Sequence, residues 1–217
     1  MNNDSPSTVG YTPRSSTAER SREIREIAAR YIAERGLWKF SMLALARHLK
    51  CLLPTLCYYY KKREELITDI VLRHVETLRS RAGLAIDGAA EETPTGKLRA
   101  FAREYLLVAL AEREAHKLTV IYGDLAGPED GEPFYARWEL LREVVERLLA
   151  ASAPEMPRDA CRALSRTLLD ALNGAARWLE PYGLVHPVDY AGMIVDWVLG
   201  EARRHCAPDP IERGDRS

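Results

Sequence analysis

Between Ser16 and His205 the apolar residues return at helical spacing in run after run, and nowhere do they alternate long enough to build a strand. That periodicity admits an all-α fold and excludes sheets and repeat arrays of fixed period. The first pattern is well punctuated. Ser16 and Glu19 stand at capping-box spacing, Ile24, Ile27, Ala28, Tyr31 and Ile32 form one stripe, and Gly36 supplies a left-handed stop, which predicts a helix over Thr17–Arg35. Ser41 can cap a short second helix through Leu49, with Phe40 placed to staple onto Leu45. After a break at Lys50, Cys51 and Leu52, a third helix with Pro54 in its first turn runs to Tyr60, and a fourth covers Glu64 to Arg81.

Five longer patterns follow, at Thr95–Glu112, Glu114–Leu125, Phe134–Ser152, Arg158–Leu179 and Pro187–His205. They are separated by Pro94 with Gly96, the Gly127–Gly131 loop, Pro154 with Pro157, and Pro181 with Gly183. Residues 1–15, rich in Ser, Thr, Asn, Pro and Gly, read as a disordered arm, residues 206–217 as a flexible tail, and the Gly127–Gly131 loop as mobile.

Charge divides the chain. The net charge is only −1, yet Arg14 to Glu65 carries twelve Lys/Arg against six Glu, whereas Leu66 onward carries 19 basic against 25 acidic groups. A compact basic segment ahead of an acidic one points to two jobs, the first of them on a polyanion such as nucleic acid. A solvated helical face would show the same excess. The boundary suggests domains at residues 16–65 and 66–205.

Several function classes lack their chemistry here. No Gly-x-Ser-x-Gly, His-Glu-x-x-His or phosphate-cradling glycine loop occurs and the five histidines lie far apart, so no enzyme is expected. The four cysteines, Cys51, Cys57, Cys161 and Cys206, form no Cys-x-x-Cys pair and have no histidine at a ligand spacing. They read as reduced thiols, with no metal and no cofactor implied. No run approaches the roughly 18 uncharged apolar residues of a membrane span, and the first residues lack the build of a secretion signal, so the expected chain is cytoplasmic with no membrane partner.

Two short helices propped by longer ones are what a helix-turn-helix needs, and the second must turn small and polar groups toward a major groove about 12 Å wide. Leu56 and Tyr60, four apart, point one way and leave Thr55, Tyr58 and Tyr59 outward, with Lys61, Lys62 and Arg63 just beyond. Three tyrosines in a row could equally be a packed aromatic patch, but three neighbours in a helix cannot share one face.

From Arg20 to about Ser80 the chain resembles the DNA-binding domain of the TetR (tetracycline repressor) family of bacterial transcription regulators. The resemblance rests on Ile27-Ala28-Ala29 with Gly36, on Ser41-Met42-x-x-Leu45-Ala46, and on Pro54-Thr55-Leu56-x-Tyr58-x-Tyr60 leading to Lys61-x-Arg63-Glu64-Glu65-Leu66. It implies DNA contacts from Ser41, Thr55, Cys57, Tyr58, Tyr59 and Lys62. Three positions depart from the pattern: Lys50 stands where a turn glycine is usual, Leu52 replaces a capping serine, and Cys57 replaces a tyrosine that reaches the DNA backbone.

The resemblance further implies an effector-binding and dimerisation domain, a homodimer whose last two helices pair across a two-fold axis, and a near-palindromic double-stranded DNA operator. Ala160, Ala163, Ala171, Gly174 and Ala175 in one helix, and Ile194, Val195, Val198, Leu199 and Ala202 in the last, suit close pairing, though intrachain packing would look alike. Candidate effector contacts are Phe101, Tyr105, His116, Tyr122, Trp138, Asn173 and Trp178, bulky or polar side chains that could wall and anchor a cavity, each on its own as readily core. The stretch from Ala171 to Gly183 is similar to TetR-type regulators of lipid breakdown, which implies a small hydrophobic effector such as an acid or its acyl thioester. The competing reading is a helical ligand carrier or adaptor without sequence-specific DNA binding.

Overall fold

The computed structural model describes residues 16–125, 131–180, 183 and 185–206. The Gly127–Asp130 part of the glycine-rich loop, Pro181, the arm and nearly all of the tail lie outside them. Among the described residues the chain is all helix: α1 (Thr17–Arg35), a 3-10 turn (Leu37–Lys39), α2 (Met42–His48), α3 (Leu53–Tyr59), α4 (Arg63–Asp87), α5 (Pro94–Ala111), α6 (Arg113–Leu125), α7 (Glu132–Ser152), α8 (Arg158–Trp178) and α9 (Pro187–Cys206). An N-terminal three-helix unit containing the helix-turn-helix is followed by a larger helical layer.

The local signals act as their chemistry dictates. Ser16 accepts from the Glu19 amide at 3.2 Å while the Glu19 carboxylate takes the Ser16 amide at 2.6 Å, completing the capping box. Gly36 closes α1 with a positive φ of 88°, but its ψ of 145° is extended rather than left-handed helical, a corner of backbone space that suits glycine. The stripe on α1 is buried, apart from half-buried Ile27. The 3-10 turn that follows had no sequence signal. It is pinned by Arg63, whose guanidinium donates to the carbonyls of Phe40 at 3.2 Å and Leu37 at 3.4 Å and lies over the Phe40 ring.

The fourth helix runs six residues further than its pattern, to Asp87 rather than Arg81. Its apolar stripe gains Ala82, which is buried, and Gly88 takes the C-cap. α5 is the central helix: it packs on α4, α7, α8 and α9, and its Leu98, Phe101, Ala102, Tyr105, Leu106 and Ala109 are wholly buried. α1 packs on α6 as well as α4, so the N-terminal unit rests directly on the larger layer.

One expectation is corrected here. Ile194, Val195, Val198, Leu199 and Ala202 are buried inside the chain, facing α5 and α8, and are not free to pair with a second copy. The apolar side chains α9 leaves exposed are Met193 and Trp197, one turn apart, with Trp178 exposed at the end of α8. Among the described residues no helix is long and apolar enough to cross a membrane, and no group of His, Cys, Asp and Glu is arranged to hold a metal.

Candidate functional sites

The helix-turn-helix is held from below. Leu45, Ala46, Leu56 and Tyr60 are buried, which anchors α2 and α3 by one face each. Ser41 caps α2 by accepting from the Ala44 amide at 3.2 Å. Leu52 stands at the cap of α3 with no side-chain bond to give, and is 75% exposed. Lys50 adopts φ 52°, the left-handed conformation in which a glycine is at ease and a lysine is not.

The polar side chains that α3 shows to solvent are Thr55 and Tyr58, the latter 76% exposed, with Lys61 and Lys62 exposed at the entry to α4. Tyr59 is half-buried and packed against the core, its ring edge-on to Tyr58 at 5.2 Å, so the outward tyrosine pair divides into one free ring and one support. Cys57 is half-buried with a free thiol. Sequence reasoning passed over Trp38, which stands 80% exposed on the 3-10 turn beside Ser41.

Behind α3 a polar knot ties three helices together. Tyr60 donates its hydroxyl to Asp69 of α4 at 2.7 Å, Arg25 of α1 reaches both Tyr60 at 3.1 Å and Asp69 at 3.2 Å, and Arg73 holds the other Asp69 oxygen at 2.8 Å. Arg25 and Arg73 also line a cleft of about 660 Å³ between α1, α4 and α6, as do His74 and Glu112. The available sequence signal was the Asp69–Arg73 spacing of four on α4.

The larger layer encloses a second polar chain. His74 of α4, 1% exposed, pairs through Nδ1 with the Glu112 carboxylate at 2.7 Å and through Nε2 with His116 Nδ1 of α6 at 3.0 Å. Burial, helped by the neighbouring His74, pushes the His116 imidazole down to about 3, so it is neutral. Beside it Tyr105 presents a ring edge at 6.1 Å and donates its hydroxyl to Asn173 Oδ1 of α8 at 2.7 Å, while Phe101 stacks on Tyr105 at 5.8 Å. Burial drives the Tyr105 phenol far up, so it remains a neutral donor.

Of the seven candidate effector residues, the structure brings Phe101, Tyr105, His116 and Asn173 into one cluster. Tyr122 and Trp138 gather instead around Phe134, at 5.6 and 5.7 Å. Trp178 lies apart, 56% exposed and edge-on to Tyr190. Sequence reasoning missed His74 and Glu112. The signal was a histidine set in the apolar stripe of α4, a place where a polar ring must find a partner.

No family model matches the chain, and no curated protein does. Solved structures do. The chain is similar to a TetR-family transcriptional regulator from Bordetella parapertussis, with a TM-score of 0.76 and 22% identity over 83% of this chain and 94% of that one. It is similar to AibR, solved with isovaleryl coenzyme A and operator DNA, with a TM-score of 0.70 and 21% identity over 82% of this chain and 97% of that one. The ketosteroid transcriptional regulator KstR2 of Mycobacterium tuberculosis gives a TM-score of 0.69 and 19% identity over 84% of this chain and 94% of that one. The protein has the fold of the TetR-family regulators.

Proposed function

We propose that the protein is a cytoplasmic, homodimeric transcription regulator, a repressor that reads a near-palindromic operator through α3 and leaves it when a small hydrophobic effector enters the larger helical layer. The observation that carries this reading is the face of α3: Thr55 and Tyr58 outward, Leu56 and Tyr60 buried beneath them, Lys61 and Lys62 exposed alongside. Hydroxyls and lysines of this kind bond phosphates and set the register on a duplex, and exposed helix side chains read bases. Ser41, Cys57, Tyr59 and Lys62 complete the contact set we assign, with Ser41 also capping α2 and Tyr59 supporting Tyr58.

A two-fold partner fits on the exposed Met193, Trp197 and Trp178, beside Gly174, Gly192 and Gly200, around whose missing side chains nothing lies within 4 Å. Open glycines allow a second helix to approach closely. Fold likeness to regulators such as AibR, which was solved with both a coenzyme A thioester and operator DNA, favours this assembly over a carrier or adaptor and over an enzyme.

The lever is α4. It starts beside Lys61 and Lys62, carries Asp69 in the knot with α1 and Tyr60, and four residues on carries Arg73 and then His74 into the effector layer. A ligand that prefers the α4 position misfitting DNA lowers operator affinity by its differential affinity for the two states. Selection of bound duplexes from a random pool by the purified protein tests the reading. One enriched near-palindrome, bound less tightly as salt rises, is expected. A folded dimer that enriches nothing would overturn it in favour of the carrier.

A further inference from the structure

The chain from Glu112 to His116 has a direction. A carboxylate only accepts, so the His74 Nδ1 that meets Glu112 at 2.7 Å carries its proton there. As long as His74 carries that one proton, its Nε2 is an acceptor, and the His116 Nδ1 that meets it at 3.0 Å donates. His116 Nε2 is thereby left as a lone pair. It is buried and has no partner among the described residues. Three buried hydroxyls of the larger layer have already committed their protons: Tyr105 to Asn173, Thr119 to the Ala115 carbonyl at 2.8 Å, and Ser165 to the Cys161 carbonyl at 2.8 Å.

A buried acceptor without a donor costs stability, and a ligand that brings the donor recovers it. We infer that His116 Nε2 is the polar anchor of the effector site, and that it selects a hydroxylated hydrophobic molecule, an alcohol or phenol, over the matching ether, ketone or carboxylate. The Tyr105 edge and the Phe101 ring stacked on it supply the apolar wall such a molecule needs. Glu112, half-exposed in the lining of the α1–α4–α6 cleft, is the positioning residue: it fixes the tautomer of both imidazoles from outside the core. To receive an acceptor instead, His116 would have to carry its proton on Nε2, which requires a second proton on His74 or one on Glu112. This inference deepens the effector reading above and rests on it.

The test is nitrogen NMR of histidine-labelled full-length protein at pH 8, where an ordinary imidazole is neutral, with phenol and anisole as the probe pair. Expected are the Nδ1–H tautomer on both His74 and His116, an upfield move of His116 Nε2 on adding phenol and none with anisole, and about tenfold tighter binding of phenol. Glu112→Gln, whose amide can accept or donate, releases the lock and brings the ratio to about one. A proton on His116 Nε2, a doubly protonated His74 at this pH, an Nε2 unmoved by phenol, or equal binding of anisole would each overturn the inference. Because no DNA enters the measurement, its failure leaves the operator reading standing, and an empty duplex selection leaves the anchor standing.

Discussion

The two polar regions of this molecule are built on opposite principles. The helix-turn-helix keeps its chemistry outside: Thr55, Tyr58, Lys61 and Lys62 face water and depend on the fold only for their position. The larger helical layer keeps its chemistry inside, where His74, His116 and Tyr105 are 1% exposed or less and every proton must be accounted for. Changes to the outer region should therefore move binding with stability nearly untouched, and changes to the inner one should move stability first.

The largest effect expected is on acid stability. His116 is held neutral with its titration lowered to about 3, whereas in the unfolded chain it takes up a proton near 6.5. Folded stability from this group is therefore fully present above pH 6.5 and is lost as pH falls toward 3, at up to about 1.4 kcal/mol per unit and about 5 kcal/mol in all. The check is the urea unfolding free energy of the protein minus that of His116→Phe across this range; a flat difference would show that the imidazole is not sealed in.

Next comes His74→Leu, which fills similar space but strips His116 Nδ1 of its acceptor and Glu112 of its donor. It should cost about 2 kcal/mol, read as a shift in the urea midpoint. On the outer side, Tyr58→Ala should weaken operator binding by about 1–2 kcal/mol while the midpoint moves by less than about 0.5 kcal/mol. Equal stability losses for the two substitutions would erase the contrast between the regions.

That contrast also explains what the sequence made legible. Surface chemistry on a short helix is governed by local spacing, so Leu56 with Tyr60 inside and Tyr58 outside followed from the four-residue interval. Capping by Ser16 and Ser41, and the bounds of α1, followed from equally local signals. The inner chain joins His74, Glu112, His116, Tyr105 and Asn173 from α4, α5, α6 and α8, with 38 to 68 residues between hydrogen-bonded partners. No spacing rule reaches that far. His116, Tyr105 and Asn173 were legible as candidates one at a time, but Glu112, a helix-end carboxylate like many others, carried no mark. Aromatic bulk does not say which side of a helix it serves, and Trp178 stands exposed and apart from the other candidates; the α9 stripe misled because a core face and a pairing face share one period.

The smallest effect is the one that most cleanly separates fold from function. The turn between α2 and α3 closes as a Schellman motif: the Lys50 amide bonds the Arg47 carbonyl at 3.1 Å and the Cys51 amide bonds the Ala46 carbonyl at 3.0 Å, with Lys50 itself at φ 52°. A lysine there carries a left-handed penalty of about 1–2 kcal/mol. Glycine removes the penalty but gives the unfolded chain about 0.5–1 kcal/mol of extra freedom. Lys50→Gly should thus stabilise the protein by about 0.5–1 kcal/mol, measured by urea unfolding. The same change deletes an exposed cation beside α3. If that lysine neutralises a phosphate, the more stable variant binds operator more weakly and its salt dependence falls by about one counterion. Gain in stability with no change in salt slope would instead place Lys50 off the duplex; no gain at all would mean that the turn is not strained.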